Sequence, residues 1–290
     1  LSHFYLKEKI MTWRIVCDSS CDLAIAPIGD AVVDFDTVPL KIVVGDTEYV
    51  DDKDLDPLAM LQHMKSFKGA SSSACPSPDE WARQFEQADR VIAIAMTSAL
   101  SGTYNSAMVA KEMVLSQHPE KKIHVVDSCN TSGGLVLLCR KAKELIHQGL
   151  PFEEVTQQLD TYAKDAQLAF MLSHFSNLVK TGRMPKIVGA LAQTLRIAAV
   201  CRRTPEGTIE IMNKCRGEAA GLKYLVEQMG KMKRMTPDLP VVITHCDNLK
   251  IALEARDQIA KAYGITDFTI LTTRALTTFY AEEKGLLVAF

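Results

Sequence analysis

Four segments place small hydroxyl residues at predicted strand ends. They are Asp18-Ser19-Ser20-Cys21-Asp22-Leu23, Ser71-Ser72-Ser73-Ala74-Cys75-Pro76-Ser77-Pro78, Thr97-Ser98-Ala99-Leu100-Ser101-Gly102-Thr103-Tyr104 and Asp127-Ser128-Cys129-Asn130-Thr131-Ser132-Gly133-Gly134. Helix N-termini that follow such turns present unpaired N–H groups and a positive dipole end, and Ser and Thr hydroxyls add neutral donors. That chemistry suits a small anion. Neither G-x-x-x-x-G-K-[ST] nor G-x-G-x-x-G occurs at these turns, so a polyphosphate or dinucleotide is disfavoured. The same residues are ordinary helix caps, and capping explains any one segment equally well. Four of them in one half point to a shared site without naming its ligand.

A hydrolase or transferase with a Ser or Cys nucleophile, acting on a lipid-like substrate, is the competing reading. Cys17, Cys75 or Cys129 could be activated at a helix N-terminus. Against it, Ser101-Gly102 lacks the G-x-S-x-G elbow, and His124 and His245 lie in strand patterns that read as structural.

The elements that must position these turns follow from periodicity. Arg14–Cys17, Val38–Val44, Val91–Met96, Ile123–Val126 and Gln167–Leu172 read as strands, the short continuous ones as strands covered on both faces. Helices are predicted near Asp56–Phe67, Pro78–Ala88, Gly102–Ser116 and Ser132–Gln148. Ser77 is a cap for the second of these, with Pro78 at its first position and Asp79 and Glu80 complementing the dipole. Further on, Thr204-Pro205-Glu206-Gly207 separates the apolar runs Leu195–Cys201 and Thr208–Asn213, which predicts an antiparallel hairpin. Leu222, Leu225, Val226 and Met229 mark one helical face, and Leu249, Ala252, Leu253, Ile259, Ala260 and Tyr263 another. Val241–Thr244, Phe268–Leu271 and Leu286–Phe290 complete the strands. The expectation is an α/β protein of two domains. A mostly parallel sheet with flanking helices spans 12–172, and a mixed-sheet α/β domain spans 173–290.

Composition bounds the function. Thirty-three basic and 35 acidic residues among 290 leave a net charge of −2, which gives no field for nucleic acid or an anionic membrane surface. No run reaches the roughly 18 apolar residues that span a bilayer. Strand chemistry starts just after Met11, so Leu1–Ile10 reads as an extension; it has no signal-peptide core. The eight cysteines include no C-x-x-C pair and no zinc-ligand spacing. They are expected to be buried thiols in a reducing, cytoplasmic setting, with no cofactor and no metal.

Read in order, these landmarks resemble those of the DegV family. The Asp18-Ser19-Ser20-x-Asp22-Leu23 opening, Val38-Pro39-Leu40 with Tyr49-Val50-Asp51-Asp52, and Ser73-Ala74-Cys75-Pro76-Ser77-Pro78 (against T-S-Q-P-S-P) are similar to its first three. Thr97 to Ala107 is close to S-S-x-L-S-G-T-Y-Q-S-A. Val126-Asp127-Ser128 and Leu178-Val179-Lys180-Thr181-Gly182-Arg183 match its D-S and L-x-K-G-G-R. The resemblance implies a two-domain α/β carrier enclosing one long-chain fatty acid, without an ATP site of its own. It implies that Ser73, with Ser98 or Ser101 in the Ser-Gly102-Thr103 turn, holds the carboxylate, and that Arg183 lies at the site. Some members carry the acyl chain for a separate ATP-dependent fatty-acid kinase subunit, a partner the resemblance therefore implies here. Where the family commonly ends in H-x-G-P-G, this chain has Thr277 to Lys284, with Tyr280 near the place of the histidine.

On that reading the tail dominates affinity. Burying the ~14 methylenes of a sixteen-carbon chain at about 0.8 kcal/mol each releases roughly 11 kcal/mol gross. The carboxylate contacts chiefly set orientation. Ile94, Met96, Phe170, Met171, Leu191, Ile197 and Ala198 are candidates for the lining, although ordinary core packing is favoured for each by roughly three to one. Arg216, opening a helix after an apolar strand, is a candidate for docking a partner or its phosphate. Arg202 and Arg203 read as solvated or ion-paired.

Overall fold

A computed structural model describes residues 12–23, 28–184 and 197–290. In chain order it begins with β1 (Trp13–Asp18), β2 (Val33–Val38), β3 (Lys41–Val44), β4 (Thr47–Val50), α1 (Pro57–Ser66), β5 (Ser71–Ala74) and α2 (Pro78–Phe85). Next come β6 (Arg90–Ala95), α3 (Thr103–Gln117), β7 (Lys122–Asp127), α4 (Gly133–His147) and α5 (Phe152–Asp165). The rest comprises β8 (Leu168–Leu172), α6 (Ser176–Lys180), β9 (Ile197–Arg203), β10 (Ile209–Arg216), α7 (Glu218–Met232), β11 (Val241–His245), α8 (Leu249–Tyr263), β12 (Phe268–Thr272), α9 (Ala275–Ala281) and β13 (Leu286–Ala289).

The first sheet is parallel, in the order β2-β1-β6-β7. Alternation along its strands sends Ile15, Cys17, Ile92 and Ile94 toward α4 and α5, and Val16, Val91 and Ala93 toward α2 and α3. Both faces are covered, which is why these strands are apolar almost throughout. The Ser77 cap forms as expected. Its Oγ accepts from Glu80 N at 3.3 Å, while Glu80 Oε2 accepts from Ser77 N at 2.7 Å.

The second sheet is mixed, β10-β9-β8-β13-β11-β12, with only β11–β12 parallel. Its outer face (Ala169, Met171, Ala198, Val200) packs under α7 and α8, and its inner face (Leu168, Phe170, Leu172, Leu287) turns toward α4. Gly133 permits that approach. A Cβ there would stand 3.0 Å from Val242 Cγ1 and 3.2 Å from Ala289 Cβ. A third, three-stranded antiparallel sheet, β4-β3-β5, packs with α1 and α9 through Ile42, Val44, Met60, Ala275 and Phe279.

Several expectations change. The strand at 168–172 belongs to the second sheet, paired with β13 and β9. Val38–Val44 is two strands. Pro39 has no N–H to continue a ladder, so β2 ends in the parallel sheet and β3 starts a different one. Leu249 and Leu253 are 53% and 36% exposed; the buried face of α8 is Ile251, Ala252, Ala255 and Ile259. Among the described residues no helix is long and apolar enough to cross a membrane.

Candidate functional site

The space between the two larger sheets is an apolar bore, with an empty volume of about 720 Å³ when the solvent open to it is counted. The turns after β6 and β7 supply Met96, Thr97, Leu100, Cys129 and Thr131. The inner face of the second sheet supplies Leu168, Phe170, Leu172, Ile209 and Leu287, and α6 and α9 supply Leu178, Leu276, Tyr280 and Ala281. A second space, about 580 Å³, adjoins it and is lined by Leu40, Ser73, Ala74, Cys75, Ser101 and Gly102. The two share Met96, Leu100, Arg183, Leu276 and Tyr280 as walls, so an apolar interior lies next to a hydroxyl-bearing mouth.

At the mouth, Ser73 Oγ and Tyr280 OH are 2.8 Å apart in a hydrogen bond. Arg183 lies with its guanidinium 5.9 Å from the centre of the Tyr280 ring, donating through Nε to Leu100 O (3.2 Å) and through a terminal nitrogen to Thr181 O (2.8 Å). It makes no ion pair with a carboxylate among the described residues, so its charge has main-chain oxygens and a π-face as neighbours. Gly102 stands at the N-cap of the 15-residue α3 without a side-chain cap, so of the first-turn amides only Thr103 N meets a side-chain acceptor among the described residues. Ser101 Oγ accepts from Thr103 N at 3.3 Å, a local turn contact that leaves its O–H free to donate.

The sequence candidates therefore divide. Ser73, Ser101, Gly102 and Arg183 come together at the mouth. Ser98 lines neither space; it is exposed, and its N–H donates to Asp127 Oδ1 at 3.1 Å. Thr103 is fully buried beneath the turn, its Oγ1 without a hydrogen-bond partner. Arg216 is exposed at the end of β10 and lines neither space. Of the proposed lining, Met96 and Phe170 are on the bore. Met171 and Ala198 point to the opposite face of their sheet under α7, and Ile94 packs against α4, because a one-residue step along a strand reverses the side chain. Ile197 lines neither space, and Leu191 falls outside the described residues. Arg202 pairs with Glu210 at 2.7 Å. Arg203 is not solvated. It is buried on the bore wall with hydrogen bonds to Lys164 O (2.6 Å) and Thr204 O (3.5 Å), and burial lowers its pKa.

The acidic members of the family-like motifs turn out to hold the walls. Asp51 Oδ1 and Oδ2 accept from Ala275 N and Leu276 N, each at 3.0 Å, and its carboxylate faces Arg274 Nε at 3.4 Å. Asp22 accepts from Arg274 N at 2.7 Å and from Ser132 Oγ at 2.5 Å, and that hydroxyl also meets Thr244 Oγ1 at 2.7 Å. Asp18 accepts from Met96 N at 2.7 Å. Two carboxylates thus anchor the start of α9, the helix that carries Leu276 and Tyr280, and a third fixes the backbone where the mouth turn begins. Burial pushes Asp18 up to about 6 and Asp22 to about 7 despite these donors, and raises Asp51 as well.

The thiol on the bore is a poor nucleophile. Burial first, then the Asp127 charge, pushes Cys129 up, away from the thiolate. His124 bonds Asp160 at 2.9 Å and His245 is the acceptor for Asn248 N at 3.3 Å; neither lines the bore or the mouth.

Comparison with known proteins places this geometry. The family model described as an uncharacterised protein of the DegV family matches residues 12–290. A DegV domain-containing protein of Streptococcus pneumoniae is 38% identical over 280 residues, covering 97% of this chain and 99% of its own length. The crystal structure of the S. pneumoniae Fatty Acid Kinase (Fak) B3 protein loaded with linoleic acid superposes with a TM-score of 0.92 at 38% identity, covering 97% of this chain and 99% of the other. A DegV family protein from Eubacterium eligens loaded with heptadecanoic acid superposes with a TM-score of 0.90 at 32% identity, over 96% and 99%. On a family match that runs from residue 12 to the last, this chain belongs to the DegV family.

Proposed function

We propose that this chain is a non-catalytic carrier that binds one long-chain fatty acid, its tail in the bore and its carboxylate at the mouth. The observation that carries the reading is the shared wall between an apolar bore and a hydroxyl-lined opening. A hydrocarbon tail gains roughly 0.8 kcal/mol per methylene from such a bore. The carboxylate would receive hydrogen bonds from Ser73, Ser101 and the first amides of α3, with Arg183 supplying positive charge beside it. Proteins over 30% identical along nearly the whole chain are named for holding linoleic and heptadecanoic acids, which supports the same ligand class here. The name of the first of these also supports presentation of the bound acid to a separate ATP-dependent kinase subunit. The raised Cys129 thiol argues against nucleophilic catalysis on the bore. We further infer that the two units divide just before Leu168, since β8 pairs only within the second sheet.

The deciding experiment is mass spectrometry of a denaturing organic extract of freshly purified protein. One equivalent of a fatty acid per chain is expected. Extracts with none, together with no uptake of added fatty acid by the delipidated protein, would end the proposal.

A further inference from the structure

Apart from the bore, three cysteines converge inside the molecule. Cys17 comes from the end of β1, Cys21 from the turn that follows, and Cys139 from the second turn of α4. Their Sγ atoms all lie within 4.8 Å of one another, and none of the three side chains is exposed. The turn is closed by Cys21 N donating to Asp18 O at 3.1 Å, which folds Cys21 back beside Cys17. No C-x-x-C spacing announces this group; it exists only because α4 crosses β1.

Burial of single thiols is ordinary packing. Three sulfurs converging from three segments are in addition a soft donor set. An ion held at about 2.3 Å from three sulfurs keeps them about 4 Å apart in a flat arrangement and about 3.3 Å in a pyramidal one, so the cluster needs to contract by about 1.5 Å at most. The number and charge of the donors then select the guest. Structural zinc takes four ligands, and among the described residues this cluster offers three. The apolar side chains around it include Ile15, Ile94, Leu135 and Leu138, and the buried carboxyl groups of Asp18 and Asp22 stand close to Cys21. Three thiolates around a divalent ion would leave one net negative charge in that core, and around a monovalent ion two. Both are costly without a compensating cation. A trivalent centre leaves none.

We propose that Cys17, Cys21 and Cys139 form a binding site for a trivalent thiophilic metalloid of the arsenite or antimonite class. The exchange balances without redox chemistry. Three S–H bonds and three metalloid–OH bonds break, three metalloid–sulfur bonds form, and three waters leave. The metalloid stays trivalent, its lone pair fills the fourth direction, and neutral thiols become a neutral adduct. Cys17 and Cys21 bracket Asp18, and Cys21 precedes Asp22, so occupancy ties together the segment whose carboxylates hold Met96 and Arg274.

The test uses the full chain, reduced and incubated with sodium arsenite, both as folded protein and during refolding from urea, then desalted for native mass spectrometry. The expected result is one arsenic per chain, seen as the mass of arsenic less three hydrogens. Alkylated in urea, the peptides holding Cys17, Cys21 and Cys139 should be shielded from iodoacetamide in the arsenite-treated chain alone, while Cys75 reacts with or without arsenite. Cys139→Ala should abolish the three-hydrogen adduct. Peptide shielding in the wild type decides the matter even where that variant misfolds. The proposal is overturned by no retained arsenic after refolding, by shielding at other cysteines, or by equal retention in a Cys17→Ala/Cys21→Ala/Cys139→Ala chain. Retention of Cu(I) or Cd(II) in preference to equimolar arsenite would overturn the trivalent assignment.

Discussion

Ser73 and Tyr280 are 207 positions apart, yet they share a hydrogen bond at the mouth of the bore. Removing the two serine hydroxyls there, Ser73→Ala with Ser101→Ala, should cost about 3 kcal/mol of fatty-acid binding, on the order of a hundredfold in affinity, with the fold intact. Unchanged lipid occupancy after purification would remove the headgroup assignment. Tyr280→Phe keeps the ring under Arg183 and deletes only the hydroxyl, so a smaller loss of about 1 kcal/mol is expected by equilibrium binding. Asp22 gives a separate signature. Its pKa is raised to about 7 in the folded protein by burial, so the folded state holds a proton that the unfolded chain releases near pH 4. Its contribution is fully present below pH 4 and is lost as the pH rises through 7. Urea melts between pH 4 and 8 should show stability declining with pH, and Asp22→Asn should flatten that decline while keeping an acceptor for Arg274 N. A slope identical to wild type would show that Asp22 does not titrate in this range.

Among the elements, α9 matters most, because it forms one wall of both spaces and received no signal in the sequence. Thr277-Thr278-Phe279-Tyr280 has weak helix propensity. It is helical because Asp51 caps its first amides and because Ala275 and Phe279 pack against Ile42, Val44 and Met60. Asp51→Asn removes the carboxylate charge that faces Arg274 inside the protein, and breaking such a pair costs about 3 kcal/mol or more. The variant should melt earlier and exchange the amides of 275–281 faster than those of β11. Uniform exchange across both would mean that α9 is not held as a separate unit by this cap. Gly207 is the second sensitive point. Its φ of 79° and a would-be Cβ 2.1 Å from Thr97 Oγ1 fix the hairpin turn against the bore wall. The turn signal Thr204-Pro205-Glu206-Gly207 was legible, since glycine at a left-handed position is a local requirement. Its seat on Thr97 was not, because nothing in either segment encodes the other.

For the molecule as a whole, the bore joins stability to ligand. Anything that binds only the folded state adds RT ln(1 + [L]/Kd), about 2.7 kcal/mol at a hundredfold excess over Kd. Delipidated protein should therefore melt lower, and should recover further on adding back a fatty acid than on adding the matching alkane, which has no carboxylate to place at Ser73 and Ser101. Equal recovery with the alkane would mean that the mouth contributes nothing. The continuous apolar strands, the capped α2, the β9–β10 hairpin and the ordered hydroxyl turns could all be read beforehand. Each depends on residues within a few positions of one another, where periodicity and turn chemistry act directly. The side of each sheet that meets the bore, the transfer of β8 to the second sheet, the closing of the mouth by Tyr280 and the meeting of three thiols depended on the packing of α4, α9 and the sheets against one another. Contacts between residues a hundred or more positions apart leave no local periodicity, so only the folded chain decides them.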